Sequence, residues 1–197
     1  MAAYSHRTAG PSPDAAALHD AALAYLARYA ATEAGLRRVL QRRVDRWARQ
    51  ARSLGGDADT IAHQVAAAQT AVREVVARLV AAGAVNDVAY AEARARSLMR
   101  AGRSHRAAAA HLAAKGVDAA TARAALPGDD TSELAAALVL ARKRRIGPFR
   151  TGEAPDEAGR RRELGVLARA GFPQDVARQA LAMEPDQAET LVNRLRR

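Results

Sequence analysis

Arginine is the residue type with chemistry to offer here, and it comes in three runs. Arg37, Arg38, Arg42, Arg43, Arg46, Arg49 and Arg52 crowd the first, and Arg94, Arg96, Arg100, Arg103 and Arg106 the second. The third holds Arg142, Lys143, Arg144, Arg145 and Arg150. A guanidinium fork offers paired donors that match a phosphate or carboxylate, so each run suits an anion. The chain has 31 Lys and Arg against 21 Asp and Glu, a net charge of +10, and Lys115 and Lys143 are its only lysines. Such a balance favours polyanions: nucleic acid, an acidic protein surface or an anionic membrane. Complementation of helix dipoles accounts for the last one or two charges of a run. It does not account for three runs at comparable places, each near a helix C-terminus or a turn.

Other chemistries find little to work with. No glycine-rich loop has phosphate-cradle spacing, and neither lysine sits in a P-loop pattern. The histidines (His6, His19, His63, His105 and His111) are scattered, none beside another ligand at one-turn helical spacing, so no metal site is expected. His111 reads as a residue packed at a helix edge. Glu92, Glu153 and Glu163 read as solvated helix positions rather than an acid–base pair. Trp47, among the arginines, has two readings: a ring that stacks on a base or anchors a partner, or a cover for a small local core. Tyr90 reads as a core or repeat-junction residue. The chain has no cysteine, so neither a disulfide framework nor a thiolate metal site is available. No apolar run of signal-peptide or membrane-spanning type occurs, and a cytoplasmic protein is expected. No enzyme activity and no cofactor are expected either.

The elements that position these cations are helices. Alanine is about a quarter of the 197 residues and aromatics are 4%, which favours helix and thin cores. Residues 1–19 read as a flexible tail, with the helical pattern beginning at Asp20. Leu23, Leu26 and Ala30 share one face, and Tyr25 and Tyr29 a neighbouring one. Thr32 reads as the cap of a helix carrying Leu36, Val39 and Leu40. Val72, Val75, Val76, Leu79 and Val80 mark another helix, which Gly83 ends. Asn86-Asp87, Ser104 and Asp118 open the next three helices. Thr131 or Ser132 opens a helix through Leu134, Leu138 and Ala141. Leu164 and Leu167 lead to Gly171, and Pro173 sits in the first turn of the helix after it.

A fifteen-residue stretch occurs twice. Leu112 to Leu126 and Leu167 to Leu181 share Leu112/Leu167, Gly116/Gly171, Ala122/Ala177, Arg123/Arg178 and Leu126/Leu181 without a gap. A repeated helix–turn–helix unit points to a helical array. Thr32 to Leu40 repeats the spacing of Ser104 to Leu112, but the segment from Leu40 to Arg78 is 27 residues longer than that from Leu167 to Arg178. The expected fold is therefore all-α: an elongated array of three tandem three-helix repeats, with a helical hairpin insertion in repeat one. The boundaries read as 20–83 for repeat one with its insertion at about 44–71, 84–128 for repeat two, 131–184 for repeat three, and 185–197 for a C-terminal helical tail. Stacking would gather the arginine runs into one basic stripe.

Leu79 to Val117 resembles the RecX family of bacterial regulators. The matching residues, in order, are Leu79, Gly83, Asn86-Asp87, Tyr90-Ala91, Arg94, Arg96, Gly102, Arg103, Leu112 and Lys115-Gly116. Thr32 to Leu40 and Ala168 to Leu181 resemble the family's first and third units, so the likeness spans roughly residues 20–184. Ala107 to Ala110 depart from it, standing where larger apolar residues are usual. His105-Arg106-Ala107 replaces a common arginine–isoleucine pair, and the insertion lies outside the family pattern.

The resemblance implies three three-helix repeats and a non-enzymatic modulator of the RecA recombinase, bound in the groove of the RecA–DNA filament and restraining recombination and the SOS response. It also implies DNA binding, read here as mainly phosphate contact without sequence preference. The expected partners are thus the RecA filament and DNA, with no membrane, and a monomer is expected. The contact surface would comprise Arg37, Arg38, Arg42, Arg43, Arg94, Arg96, Arg100, Arg103, Arg106, Arg142, Lys143, Arg144 and Arg145. The alternative is a helix-turn-helix-like transcription regulator, which needs polar base-reading side chains on an exposed helix face. Residues 118–126 offer mainly alanine and Arg123.

Overall fold

The structure, a computed structural model, describes residues 10–128 and 130–196. Among them there is no strand and no helix long and apolar enough to cross a membrane. Among the described residues ten α-helices follow in order: α1 (Ala15–Leu26), α2 (Glu33–Ser53), α3 (Ala58–Ala81), α4 (Asp87–Arg100), α5 (His105–Lys115), α6 (Ala119–Ala124), α7 (Asp130–Arg144), α8 (Glu157–Arg169), α9 (Gln174–Ala182) and α10 (Pro185–Arg196). A short 3-10 turn, Gly147–Phe149, lies between α7 and α8. The chain forms two compact units, one ending at Asp87 and the other beginning at Val88.

In the first unit α1, α2 and α3 share one core. Leu18 and Ala22, then Leu36, Leu40 and Val44, recur every four residues and are fully buried against Val72, Val75 and Val76 of α3. That spacing places one stripe of each helix inward. The helix read as starting at Asp20 starts at Ala15, because Asp14 caps it by accepting the Ala17 amide at 2.8 Å. Leu18 is therefore core, although it fell in the stretch read as tail. Residues 1–9 of that stretch lie outside the described residues. Ala30 lies beyond α1, and Leu23 is 45% exposed, so the face predicted for this helix is not the buried one. Toward the α2–α3 turn, Ala48, Ala51 and Ile61 form a second small cluster that Trp47 covers. The Trp47 indole N–H donates to the Gly10 carbonyl at 2.8 Å, so this ring packs locally rather than standing free.

The second unit has two cores. Ala91, Ala95, Leu112, Val117 and Ala122 make a thin one among α4, α5 and α6. Leu134, Leu138, Leu167, Phe172, Val176, Ala188 and Val192 make a larger one among α7 to α10, and Met99 of α4 reaches into it. α10, read as a tail, therefore belongs to this core. The duplicated sequence folds alike in both copies. Gly116 and Gly171 take φ of 92° and 93°. Val117 N–H donates to the Leu112 carbonyl at 3.1 Å, and Phe172 N–H to Leu167 at 3.2 Å. A left-handed residue closes each helix this way, and the apolar residue after it turns back into the core.

Polar side chains lock α4–α5 onto α7 and α8. Ser104 is fully buried: its hydroxyl accepts the Ala107 amide at 3.2 Å and donates to the Ala170 carbonyl at 2.8 Å. Glu133 of α7 is 4% exposed and accepts the His105 amide at 2.8 Å, with the His105 Nδ1 3.1 Å from the same oxygen. Burial pushes the Glu133 carboxyl above its usual range, against the pull of the His105 amide and imidazole. In the first unit the Asp87 carboxylate takes the equivalent amide, that of Glu33, at 2.7 Å beside buried Thr32. Each helix start thus carries two acceptors, one local and one distant in sequence.

Arg94 of α4 donates its Nε–H to the Nε2 of His111 on α5 at 3.0 Å, which requires a neutral imidazole. Burial first, then the charges of Arg94, Lys115 and Arg103, hold His111 below its usual pKa of 6.5. Its folded pKa is depressed, so on acidification the unfolded chain takes up this proton first. The stability from neutral His111 is complete above 6.5 and is lost as pH falls below 6.5 toward the folded value.

Two predictions follow these contacts. Leu40→Ala, at a fully buried position, should cost about 3 kcal/mol in denaturant unfolding, and Leu23→Ala under about 1 kcal/mol. Trp47, the only tryptophan, lies in the same unit and its fluorescence reads both; equal costs would contradict the core assignment. The stability advantage of wild type over His111→Gln, followed by circular dichroism, should shrink on acidification below about pH 6.5. Parallel pH profiles would contradict the Arg94–His111 contact.

Candidate nucleic-acid interface

Three helix ends of the second unit meet around an open cleft of about 540 Å³. Ala101, Gly102 and Arg103 of the α4–α5 turn form one side. Leu140, Lys143 and Arg144 of α7 and Val166, Arg169 and Ala170 of α8 form the others. The floor is apolar and Arg103, Lys143, Arg144 and Arg169 supply the charge. Close packing sets this geometry. A Cβ at Gly102, whose φ is 79°, would lie 3.0 Å from the Leu140 amide nitrogen. A Cβ at Gly171 would lie 2.7 Å from the Ser104 hydroxyl. Glycine at both positions lets the turn and the two helices approach, and the Lys143 ammonium donates to the Ala101 carbonyl at 2.7 Å across the gap.

The three ends are the C-termini of α4, α7 and α8, and a helix C-terminus carries negative dipole charge, about −0.5. Three of them do not cancel four full positive charges, so the cleft stays cationic. Among the described residues Arg103, Arg144 and Arg169 are exposed and engage no carboxylate. Just beyond Arg144, Arg145 takes φ of 55°, a left-handed conformation usually left to glycine. Its amide and that of Ile146 bond to the Arg142 and Ala141 carbonyls, ending α7 with an exposed arginine.

The structure separates the cations that the sequence grouped. Arg103, Lys143 and Arg144 line the cleft; Arg100, Arg106 and Arg145 are exposed on the elements that bound it. Arg142 is turned to α10, paired with Glu189 at 3.0 Å. Arg94 is held by His111, and Arg96 lies 4.0 Å from Glu92. Arg150 is half-buried and grips both oxygens of Glu163 at 2.6 Å, so Glu163 is not the solvated acid expected from sequence. Glu153 lies in a loop rather than on a helix. Arg169 was missed. Its signal was its place one residue before Ala170-Gly171 in the duplicated stretch, close to where Lys115-Gly116 stands in the other copy.

In the first unit the arginines sort by face. α2 is one continuous helix to Ser53, so Arg37, Arg38, Arg42 and Arg43 lie in its body rather than near its C-terminus. Arg38, Arg42, Arg46, Arg49 and Arg52 recur at three- and four-residue steps opposite Leu36, Leu40 and Val44, and all are exposed. They span about 21 Å of helix. Arg37 and Arg43 flank that ridge, and Arg37 is paired with Glu33.

Residues 86–126 match the family described as RecX, second three-helix domain. The chain is 43% identical over 170 residues to the regulatory protein RecX of Myxococcus xanthus, covering 85% of this chain and 86% of that protein. It is 42% identical over 110 residues to the regulatory protein RecX of Agrobacterium fabrum, covering 56% and 58%. The crystal structure of RecX from Lactobacillus salivarius superposes with a TM-score of 0.56 at 20% identity, over 93% of this chain and 97% of that one, and so shares the fold. By the extent and identity of the Myxococcus match, this chain is a member of the RecX family of regulatory proteins.

Proposed function

We propose that this chain restrains the RecA recombinase without turnover, docking through basic surface into the groove of the RecA–DNA filament. It would act in the cytoplasm as a monomer and lower recombination and SOS activity. Membership of a family of regulatory proteins supports the role. The observation that carries the docking mode is the cleft where Arg103, Lys143, Arg144 and Arg169 converge from three elements. Guanidinium forks spaced around an apolar floor suit a run of phosphates or carboxylates better than a single small anion. The α2 ridge adds a second cationic face suited to backbone phosphates.

The architecture we propose with it is three three-helix repeats, α1–α3, α4–α6 and α7–α9, with residues 44–71 lengthening α2 and α3. The matched turns at Gly116 and Gly171 support the repeat. A sequence-reading transcription regulator draws less support, because α6 has six residues and exposes Ala119, Ala120, Arg123 and Ala124.

The test is RecA ATP hydrolysis on single-stranded DNA, with and without this protein, across a salt series. Wild type should inhibit most at low salt. The Arg103→Ala, Arg144→Ala, Arg169→Ala triple variant should need about tenfold more protein for the same inhibition. Full inhibition by that variant, shown to be folded, would overturn the placement of the surface.

A further inference from the structure

A second cleft of the same unit is built differently. It holds about 340 Å³ and lies between α8, α9 and the loop that precedes α8. Leu164, Leu181 and Pro155 make it apolar. Gly159 permits its shape, since a Cβ there would lie 2.7 Å from the Cβ of Pro155 and push the loop away. Its one lining acid, Glu163, is spent: Arg150 takes both carboxylate oxygens and the Gly147 amide reaches one of them at 3.3 Å. What faces outward is positive. Arg160 of α8 and Arg178 of α9 are exposed on the two helices that form the walls. Arg160 spends one donor on the Pro155 carbonyl at 3.2 Å, and Arg178 has no partner among the described residues. Arg178 and Leu181 are also two of the residues that the duplicated stretch repeats, a pairing that the basic surface described above does not use.

We infer that this cleft binds an acidic protein segment through one apolar side chain set between carboxylates. The volume lies at the small end of ligand pockets, about 300–1,000 Å³, and takes a leucine-sized anchor with adjoining backbone. Two guanidinium groups on separate walls match carboxylates spaced along a chain rather than one compact anion. With Glu163 neutralised, nothing in the lining repels such a segment. Burying the anchor supplies affinity, and the arginines set register and exclude basic sequences.

The experiment uses the whole chain and a short fluorescein-labelled peptide with one leucine between glutamates, read by fluorescence polarisation. Replacing that leucine by serine should weaken binding about tenfold. Arg178→Glu should weaken it about fivefold or more. Ala182→Phe, which fills the mouth from an exposed position, should abolish the advantage of leucine over serine. Circular dichroism confirms that each variant is folded, and either variant alone carries the test. Equal binding of the leucine and serine peptides would overturn the inference, as would unchanged binding by a folded Arg178→Glu. So would displacement of the peptide by decanoate, which would mark a site for small amphiphiles, or by oligothymidylate at equal charge. The Arg103, Arg144 and Arg169 triple variant should bind the peptide like wild type, so failure here and failure of RecA restraint remain separate results.

Discussion

Ser104 and Glu133, both buried, hold the start of α5 against α7 and α8, and the geometry of the second unit follows from that attachment. A helix start leaves amides without partners, and here those of His105 and Ala107 are part-buried. Ser104 satisfies one locally and Glu133 another from α7, while the Ser104 proton is returned to the end of α8. One pair of side chains therefore ties three helices together. A buried carboxylate is costly to desolvate, and burial pushes the Glu133 carboxyl above its usual range. What it fixes in return is the position of the α4–α5 turn, and with it Arg103 beside Arg144 and Arg169.

The alanine-rich composition explains why polar links carry so much of this arrangement. Ala91, Ala95 and Ala122 bury little area each, so the α4–α6 core is thin. Small side chains and glycine turns do allow close approach. Gly102 and Gly171 both sit where a Cβ would strike a neighbouring element. Met99 crosses from α4 into the α7–α10 core and adds the apolar contact that the alanines lack.

Local features of the fold were legible because they are written locally. Thr32, Ser104 and Asp118 cap helices as their types predict, and the duplicated glycines close helices with matching bonds. α1 starts earlier than its apolar pattern suggests because a single aspartate, Asp14, caps it. α10 was read as a tail because four apolar residues at helical spacing do not reveal what they pack against. The candidate site was legible only as a bias toward arginine. Which arginines stay available depends on acids far away in sequence: Glu189 claims Arg142 and Glu163 claims Arg150. No spacing rule predicts those pairs, and Arg169 joins the cleft only because α8 ends beside the α4–α5 turn.

The central claim is that the Ser104–Glu133 attachment makes a working unit of cations that lie far apart in the chain. The most direct measurement is the salt dependence of binding to a single-stranded oligonucleotide for wild type and the Ser104→Ala, Glu133→Ala double variant, which removes both contacts and no positive charge. Log affinity against log salt should be shallower by about 0.7 for the variant, since Arg103 leaves Arg144 and Arg169 and one contact of about 0.7 is lost. An unchanged slope in a variant whose helical content matches wild type would contradict the account.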